Sequence, residues 1–385
     1  MVAAVRQGGP QREVARRCHV ALSTLQWWLK RAEGQPLEQV NWANRPSAPA
    51  RVANRTATEV EWAVLECRQR LATHSALGFY GAQAIHETLR AEAMLAWIPS
   101  IRTIGRILQR HGVLDGRRRL RHPSPPAGWY LPTVRLHATE LEAFDILEGL
   151  VIEGRGDVEV LTGKALWGPV AGAWPMPAVT ARATLETLVA HWQIHGLPTF
   201  VQFDNDTRFQ GGHNHPDVLG RVARACLSLG ITPVFAPPRE SGFQAVIEHF
   251  NGLWQQKVWE RFHHLDLAML QQRSGRFLSA YMQRLAQRAE HGPPRHPFPQ
   301  GWRLNLQAPV TGQMIYLRRT DAAGAVALLG RSFLVDPLWP HRLLRCEVDF
   351  AHQQLRFYRL RRRDPDQQPL VKTIEYRFPQ KRFLE

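Results

Sequence analysis

Apolar positions in residues 10–32 fall into two short runs with helical spacing. In the first, Val14, Ala15 and Cys18 lie on one face, and Pro10 suits a first helical position. After a turn at His19-Val20, Leu25, Trp28, Leu29 and Ala32 follow at i, i+3, i+4 and i+7, with Ser23 placed to cap the helix. This predicts a helix-turn-helix over 1–33 with Thr24, Gln26, Trp27, Lys30 and Arg31 on its outer side; an ordinary helical hairpin would share the pattern. The few residues before Pro10 leave little room for a full first helix and read as a shortened start. Gly34, Pro36, Pro46 and Pro49 mark 34–56 as a linker. Periodicity resumes over 57–116 in a second helical unit, with helices at Val60–Leu71, at Gly81–Glu92 and after Pro99-Ser100. The third carries the stripe Ile101, Ile104, Ile107 and Leu108 under a Ser100 cap, with Arg102, Arg106 and Arg110 on another face.

Residues 117–136 form a basic, proline-rich linker that begins with Arg117, Arg118 and Arg119. Over 137–290 the pattern changes to strand-like runs, Ala143–Ile152, Val158–Thr162 and Ala165–Ala171, followed by helix, strand, helix, strand and helix. That order predicts a mixed sheet flanked by helices. Over 310–376, short alternating segments (Met314–Arg318, Ala325–Leu329, Ser332–Val335, Leu343–Val348, Gln353–Arg359) predict a small β-barrel. The expected fold class is a multidomain α+β protein: N-terminal helical units, a mixed α/β core and a C-terminal barrel.

Charge narrows the choice of partner. The 385 residues contain 49 Lys plus Arg against 33 Asp plus Glu, so the net charge is 49 − 33 = +16. Such a surplus points to a polyanion, most commonly nucleic acid, although a basic solvated surface with no ligand is the plain alternative. With double-stranded DNA as the partner, the second helix of a helix-turn-helix would enter the major groove with Thr24, Gln26, Lys30 and Arg31. The arginine row 102, 106, 110, the linker arginines 117–119, and Arg359 and Arg361 in the last basic cluster would meet phosphates. Cys18, Cys67, Cys226 and Cys346 are far apart and form no CxxC pair, which fits a reducing cytosol. No apolar run approaches the ~18 residues of a membrane span, so a cytoplasmic, nucleoid-associated protein without membrane contact is expected. The histidine pairs 213/215 and 263/264 lack the spacing of a zinc site.

Three carboxylates stand out. Asp145 lies inside an apolar strand, where a carboxylate needs a compensating partner. Asp204 closes the strand Thr199–Phe203, and strand ends are where sheet-based sites are built. Glu248 belongs to a polar helical face with Gln244, Asn251 and Gln255, while Val246, Ile247, Phe250, Leu253, Trp254 and Val258 line the opposite side. A structural or capping role is the plain reading of each. Asp157 is the reserve for Asp145, and Glu240 is the rival of Glu248.

Two segments carry a resemblance: Phe200-Val201-Gln202-Phe203-Asp204-Asn205-Asp206, and Ala245-Val246-Ile247-Glu248-His249-Phe250-Asn251. They resemble the Asp-Asn strand and the Glu helix of the retroviral-integrase-like DDE transposases and insertion-sequence integrases. Gly81–Ile85 and Pro99–Ile104 are similar to the helical DNA-binding unit that precedes many such cores, and the expected C-terminal barrel is similar to one that often follows them, so the resemblance covers nearly the whole chain. It departs from the pattern at Asp206 and Ala245, where the family usually has glycine, and in a longer Asp-to-Glu spacing, for which a loop over 210–218 would account.

The resemblance implies an RNase H-like core in which Asp145, Asp204 and Glu248 hold two Mg²⁺ or Mn²⁺ ions. Hard oxygen ligands suit these ions, and two of them can activate a nucleophile and stabilise the leaving oxygen of an in-line displacement. The implied activity is 3′-end cleavage and strand transfer of a mobile element. Gln244 and Asn251 would touch DNA beside the acids, and a homo-oligomer would pair two ends, with room for accessory transposition proteins. A transposase-derived DNA-binding protein without catalysis is the alternative, and a structure-specific nuclease on the same core is a weaker third.

Overall fold

The computed structural model describes residues 1–44, 56–93, 95–114, 127–212, 216–240, 242–287, 292–379 and 383. The chain divides into two compact units, Met1–Glu61 and Trp62–Glu385.

In the first unit, α1 (Val2–Arg6), α2 (Gln11–Arg17) and α3 (Leu22–Ala32) pack around Val14, Ala15 and Leu25 and around Val2, Ala32 and Val40. The turn after α2 passes through His19 with φ 52°, the left-handed conformation that ends a helix sharply. Two details differ from the sequence reading. Ala21, not Ser23, stands at the N-cap of α3, without a side-chain cap, and Cys18 is exposed.

α4 (Thr58–His74) runs across the division into the second unit, where it forms a three-helix cluster with α5 (Ala82–Glu92) and α6 (Ile101–Arg110), built on Val64, Ile85, Leu89, Ile104, Ile107 and Leu108. Ser100 caps α6 as expected, its Oγ accepting from the Thr103 N–H at 3.2 Å. The cluster is tied to the remainder of its unit. Arg261 donates to the carbonyls of Ala72, Thr73 and Ser75, and Arg284 pairs with Glu87 at 3.0 Å.

After α7 (Pro132–Arg135) come β1 (Leu141–Ile152), β2 (Gly156–Ala165) and β3 (Ala171–Met176). Next are α8 (Ala181–His195), β4 (Phe200–Phe203), α9 (Thr207–Gln210), α10 (Arg221–Ser228), β5 (Thr232–Phe235) and α11 (Ala245–Trp254). The last of these runs into one π turn, Gln255–Trp259, and α12 (Leu267–Ala286) follows. The chain then forms β6 (Gln313–Arg319), β7 (Ala325–Leu328), β8 (Arg331–Leu334), β9 (Leu343–Asp349), β10 (Gln354–Arg359) and β11 (Leu370–Glu375).

Among the described residues one nine-stranded mixed sheet runs in the order β11-β10-β9-β6-β5-β4-β1-β2-β3. β1, β4, β5 and β6 are mutually parallel, and the flanking strands are antiparallel. Helices cover both faces. α8 and α10 meet Phe144, Val201 and Phe203 on one side, while α11 and α12 meet Ala143, Val158 and Val160 on the other. A bulge in β1 between Leu147 and Leu150, with Gly149 at φ 75°, shifts the side-chain alternation by one. Leu150 and Ile152 thereby stay on the α11 face with Ala143.

Two sequence expectations change. The third strand is not Ala165–Ala171 but β3, because 166–170 is a turn. Glu140 holds that turn by accepting from the Trp167 and Gly168 N–H groups. The expected barrel over 310–376 is not a separate body with its own core. β6 pairs with β5, so β6, β9, β10 and β11 extend the central sheet, and only β7–β8 forms a detached hairpin. Tyr316, Leu344, Cys346 and Phe357 accordingly share one hydrophobic cluster with Phe203 and Phe235. Among the described residues no helix is long and apolar enough to cross a membrane.

Candidate active site

β1 and β4 pair in parallel with Leu141 opposite Phe200, Glu142 opposite Val201 and Ala143 opposite Gln202, a constant offset of 200 − 141 = 59. The offset between Asp145 and Asp204 is 204 − 145 = 59 as well. Two steps beyond the last paired residues the two aspartates therefore stand level on neighbouring strands. Strand alternation turns Asp145 to the side of Ala143, which is the α11 face, and Asp204 to the side of Gln202.

The helix on that face brings one more side chain against Asp145. Asn251 is buried and donates from Nδ2 to Asp145 Oδ2 at 2.7 Å. Glu248 stands at i−3 from Asn251 on the same side of α11; it is exposed, and its carboxylate makes no hydrogen bond or ion pair among the described residues. The Ile146 N–H donates to Asp145 Oδ1 at 2.9 Å, and the Asp206 N–H donates to Asp204 Oδ1 at 3.0 Å.

Burial, helped by the nearby charges of Asp204 and Glu248, pushes the Asp145 carboxyl up to about 6 against the hydrogen bonds from Ile146 and Asn251. Asp204 is raised too, first by burial and also by the charge of Asp206, with the Asp206 N–H and Arg208 opposing. A carboxyl raised this way destabilises the folded chain once ionised. Its favourable protonated contribution is complete below about pH 4 and is lost as pH rises through about 6. In metal-free buffer, Asp145→Asn should therefore gain up to about 3 kcal/mol relative to wild type between pH 4 and pH 8. Thermal melts of both proteins across that range test this. A pH-independent difference would contradict it.

The donor chemistry suits a hard divalent cation: carboxylate oxygens from two strands and a helix, plus the buried Asn251 Oδ1, which has no hydrogen-bond partner among the described residues. The side chains do not form a ready-made shell, since no three His, Cys, Asp or Glu groups among the described residues are gathered closely enough to hold an ion. Asp145, within β1, and Asp204, just past the end of β4, are brought level, and Glu248 is exposed on α11.

The neighbouring charged groups are spent on structure. Asp206 caps α9 and binds Arg208, which also reaches Glu148 and Glu159. Glu240 is bound in bidentate fashion by Arg319, at 2.7 and 2.8 Å, which removes it as a rival to Glu248. Asp157 lies at the exposed β1–β2 hairpin opposite Val151, at the far end of β1 from the Ala143–Gln202 pairing, and does not serve as a reserve.

Several groups escaped the sequence reading. Glu142 is fully buried on β1 and accepts from His191 Nε2 at 2.7 Å, Trp192 Nε1 at 3.2 Å and Arg295 at 2.7 Å. Arg318 on β6 donates to Asn205 Oδ1 at 2.7 Å and to the Ala236 carbonyl at 3.1 Å, clamping the chain just after Asp204. No local pattern announces either, because their partners lie 49 to 153 residues away.

Of the expected DNA contacts, Thr24, Gln26 and Lys30 are exposed on α3, and Arg102, Arg106 and Arg110 are exposed on α6. Arg361 is exposed with its guanidinium 5.2 Å from the Trp339 ring. Three expectations change. Arg31 lies 5.3 and 5.1 Å from the rings of Trp27 and Trp28 and donates to the Ala43 carbonyl. Arg359 is paired with Asp336, and Asn251 is engaged by Asp145. Gln244 is the half-buried N-cap residue of α11, and Arg117, Arg118 and Arg119 lie outside the described residues.

No family model and no curated protein matches the chain. Among solved structures, the chain is similar to one described as a cryoEM structure of simian T-cell lymphotropic virus intasome in complex with PP2A regulatory subunit B56 gamma. The identity is 14%, covering 73% of this chain and 91% of that one, with a TM-score of 0.32. So loose a superposition carries no argument about this protein.

Proposed function

We propose that the chain is a DNA transposase or integrase with an RNase H-like core, using Asp145, Asp204 and Glu248 to hold two Mg²⁺ or Mn²⁺ ions. The observation that carries this reading is the shared offset of 59, which sets Asp145 and Asp204 level on adjacent parallel strands under the helix that bears Glu248.

When bound, the ions would lower the barrier to in-line displacement at a phosphodiester by activating the attacking oxygen and stabilising the leaving one. The protein supplies the geometry. Asp145 and Asp204 present oxygens from rigid strands, Asn251 orients Asp145, and Arg318 holds Asn205 beside Asp204. Glu248, exposed on the first turn of α11, would have to turn inward to close the set. Water would attack the phosphorus at an element end, breaking the P–O bond and leaving a free 3′-hydroxyl. That hydroxyl would then attack a target phosphodiester, form the new strand and expel the target's own 3′-oxygen. The exposed polar and basic side chains of α3 and α6 would hold double-stranded DNA, with the protein acting as a homo-oligomer that pairs two ends.

One observation favours a second reading, a DNA-binding protein that no longer cuts: Glu248 is exposed on α11, and Asp206 and Ala245 stand where glycine is usual in the family that the two segments resemble. Incubating the wild-type chain with labelled element-end duplexes and Mg²⁺, Mn²⁺ or EDTA separates the two. Metal-dependent release of 3′-hydroxyl ends supports the enzyme, and retention of DNA without nicking or joining supports the binder.

A further inference from the structure

Where the α4–α6 cluster meets the π turn after α11, an open cavity of about 550 Å³ is lined by Arg68, Phe79, Tyr80, Lys257 and Arg284. Its walls are cationic and aromatic at once. Lys257 Nζ lies 5.3 Å from the Tyr80 ring and 5.8 Å from Phe79, and the Arg68 guanidinium lies 4.7 Å from Tyr80. Arg68 donates only to the carbonyls of Tyr80 and Val113, and Lys257 only to that of Gly78, so neither has a carboxylate partner among the described residues. Arg284, the third cation of the lining, is paired with Glu87. Tyr80 is 39% exposed, and the neighbouring Gly81 leaves open space at its Cβ position. A π turn is an uncommon device that often marks a functional position, and here it carries Lys257.

We infer that this cavity binds an unpaired nucleotide of a DNA strand, its base stacked on Tyr80 and its phosphate held by Lys257 and Arg68. A phosphate alone would need the cations but no exposed ring, and a stacked duplex base has no free face to offer Tyr80. Stacking platforms set beside cations are the general means of holding single strands. The inference rests on the proposed function for its choice of DNA, but it does not require the carboxylates to be active.

The test uses the full chain and two fluorescent probes, a blunt duplex and the same duplex with a three-nucleotide single-stranded overhang containing 2-aminopurine. Wild type should prefer the overhang and quench the 2-aminopurine. Tyr80→Leu should weaken overhang binding about tenfold and relieve the quenching while leaving blunt-duplex affinity unchanged. Lys257→Gln, with its melting temperature checked against wild type, should reduce the same preference. A wild type without preference, or variants that lose both probes equally or neither, would overturn the site. A preserved preference in a protein that never cleaves would leave the site standing and sink the enzyme reading.

Discussion

Asp204→Asn is expected to lower metal-dependent DNA end cleavage by at least about 10³-fold, about 4 kcal/mol of barrier, with duplex affinity nearly unchanged. Asp204 Oδ1 already accepts the Asp206 N–H, so an Asn can keep that turn by presenting its amide oxygen there. What it loses is the negative charge. Glu248→Gln should match the loss in chemistry without disturbing the fold, because Glu248 is exposed and its carboxylate makes no hydrogen bond or ion pair among the described residues. Gel-based cleavage and anisotropy binding measured on the same preparations distinguish the outcomes. A variant that loses binding and cleavage in parallel would mean that these residues hold DNA and do not drive its cleavage.

The largest stability effect is expected at Glu142. Burial alone would raise its carboxyl, yet the neighbouring His191 and Arg295 outweigh burial and bring it down to about 2. A depressed carboxyl contributes stability that is complete above about pH 4.5 and is lost as pH falls through about 2. Arg295→Met removes one partner and strands a buried charge, which should cost about 3–5 kcal/mol. Adding Glu142→Gln to Arg295→Met should recover part of that loss, since the uncompensated charge disappears. Urea denaturation of the two single variants and the double variant at pH 7 measures the coupling. Strictly additive losses would show that the pair is not coupled, and a tolerated Arg295→Met would show that Glu142 is neutral in the fold.

Local pattern carried the helices and the acidic residues further than it carried their arrangement. Ser100 and the Ile104, Ile107, Leu108 stripe were legible because a cap and a helical face are decided within one or two turns. Asp145 and Asp204 could be selected from their strands, but that 59 residues is also the β1–β4 register is a property of strand pairing, which no single strand encodes. The C-terminal strands show the same limit. β6 reads identically whether it closes a barrel or pairs with β5, since alternation reports a half-buried strand and not its neighbour. Arg31 and Arg359 looked free for DNA because a basic residue in sequence carries no mark of Trp28 or Asp336 waiting beside it. Glu142 was hidden for a related reason: its compensation by His191 and Arg295 comes from distant segments.

The central claim is that Asp145, Asp204 and Glu248 converge on shared cations. A crystal structure of the protein grown with Mn²⁺, read by anomalous scattering, tests it most directly. The account predicts peaks about 2.0–2.2 Å from carboxylate oxygens of both Asp145 and Asp204, with Glu248 turned inward to the same ions. Mn²⁺ bound elsewhere, or no peak between Asp145 on β1 and Asp204 after β4 at saturating metal, would contradict it.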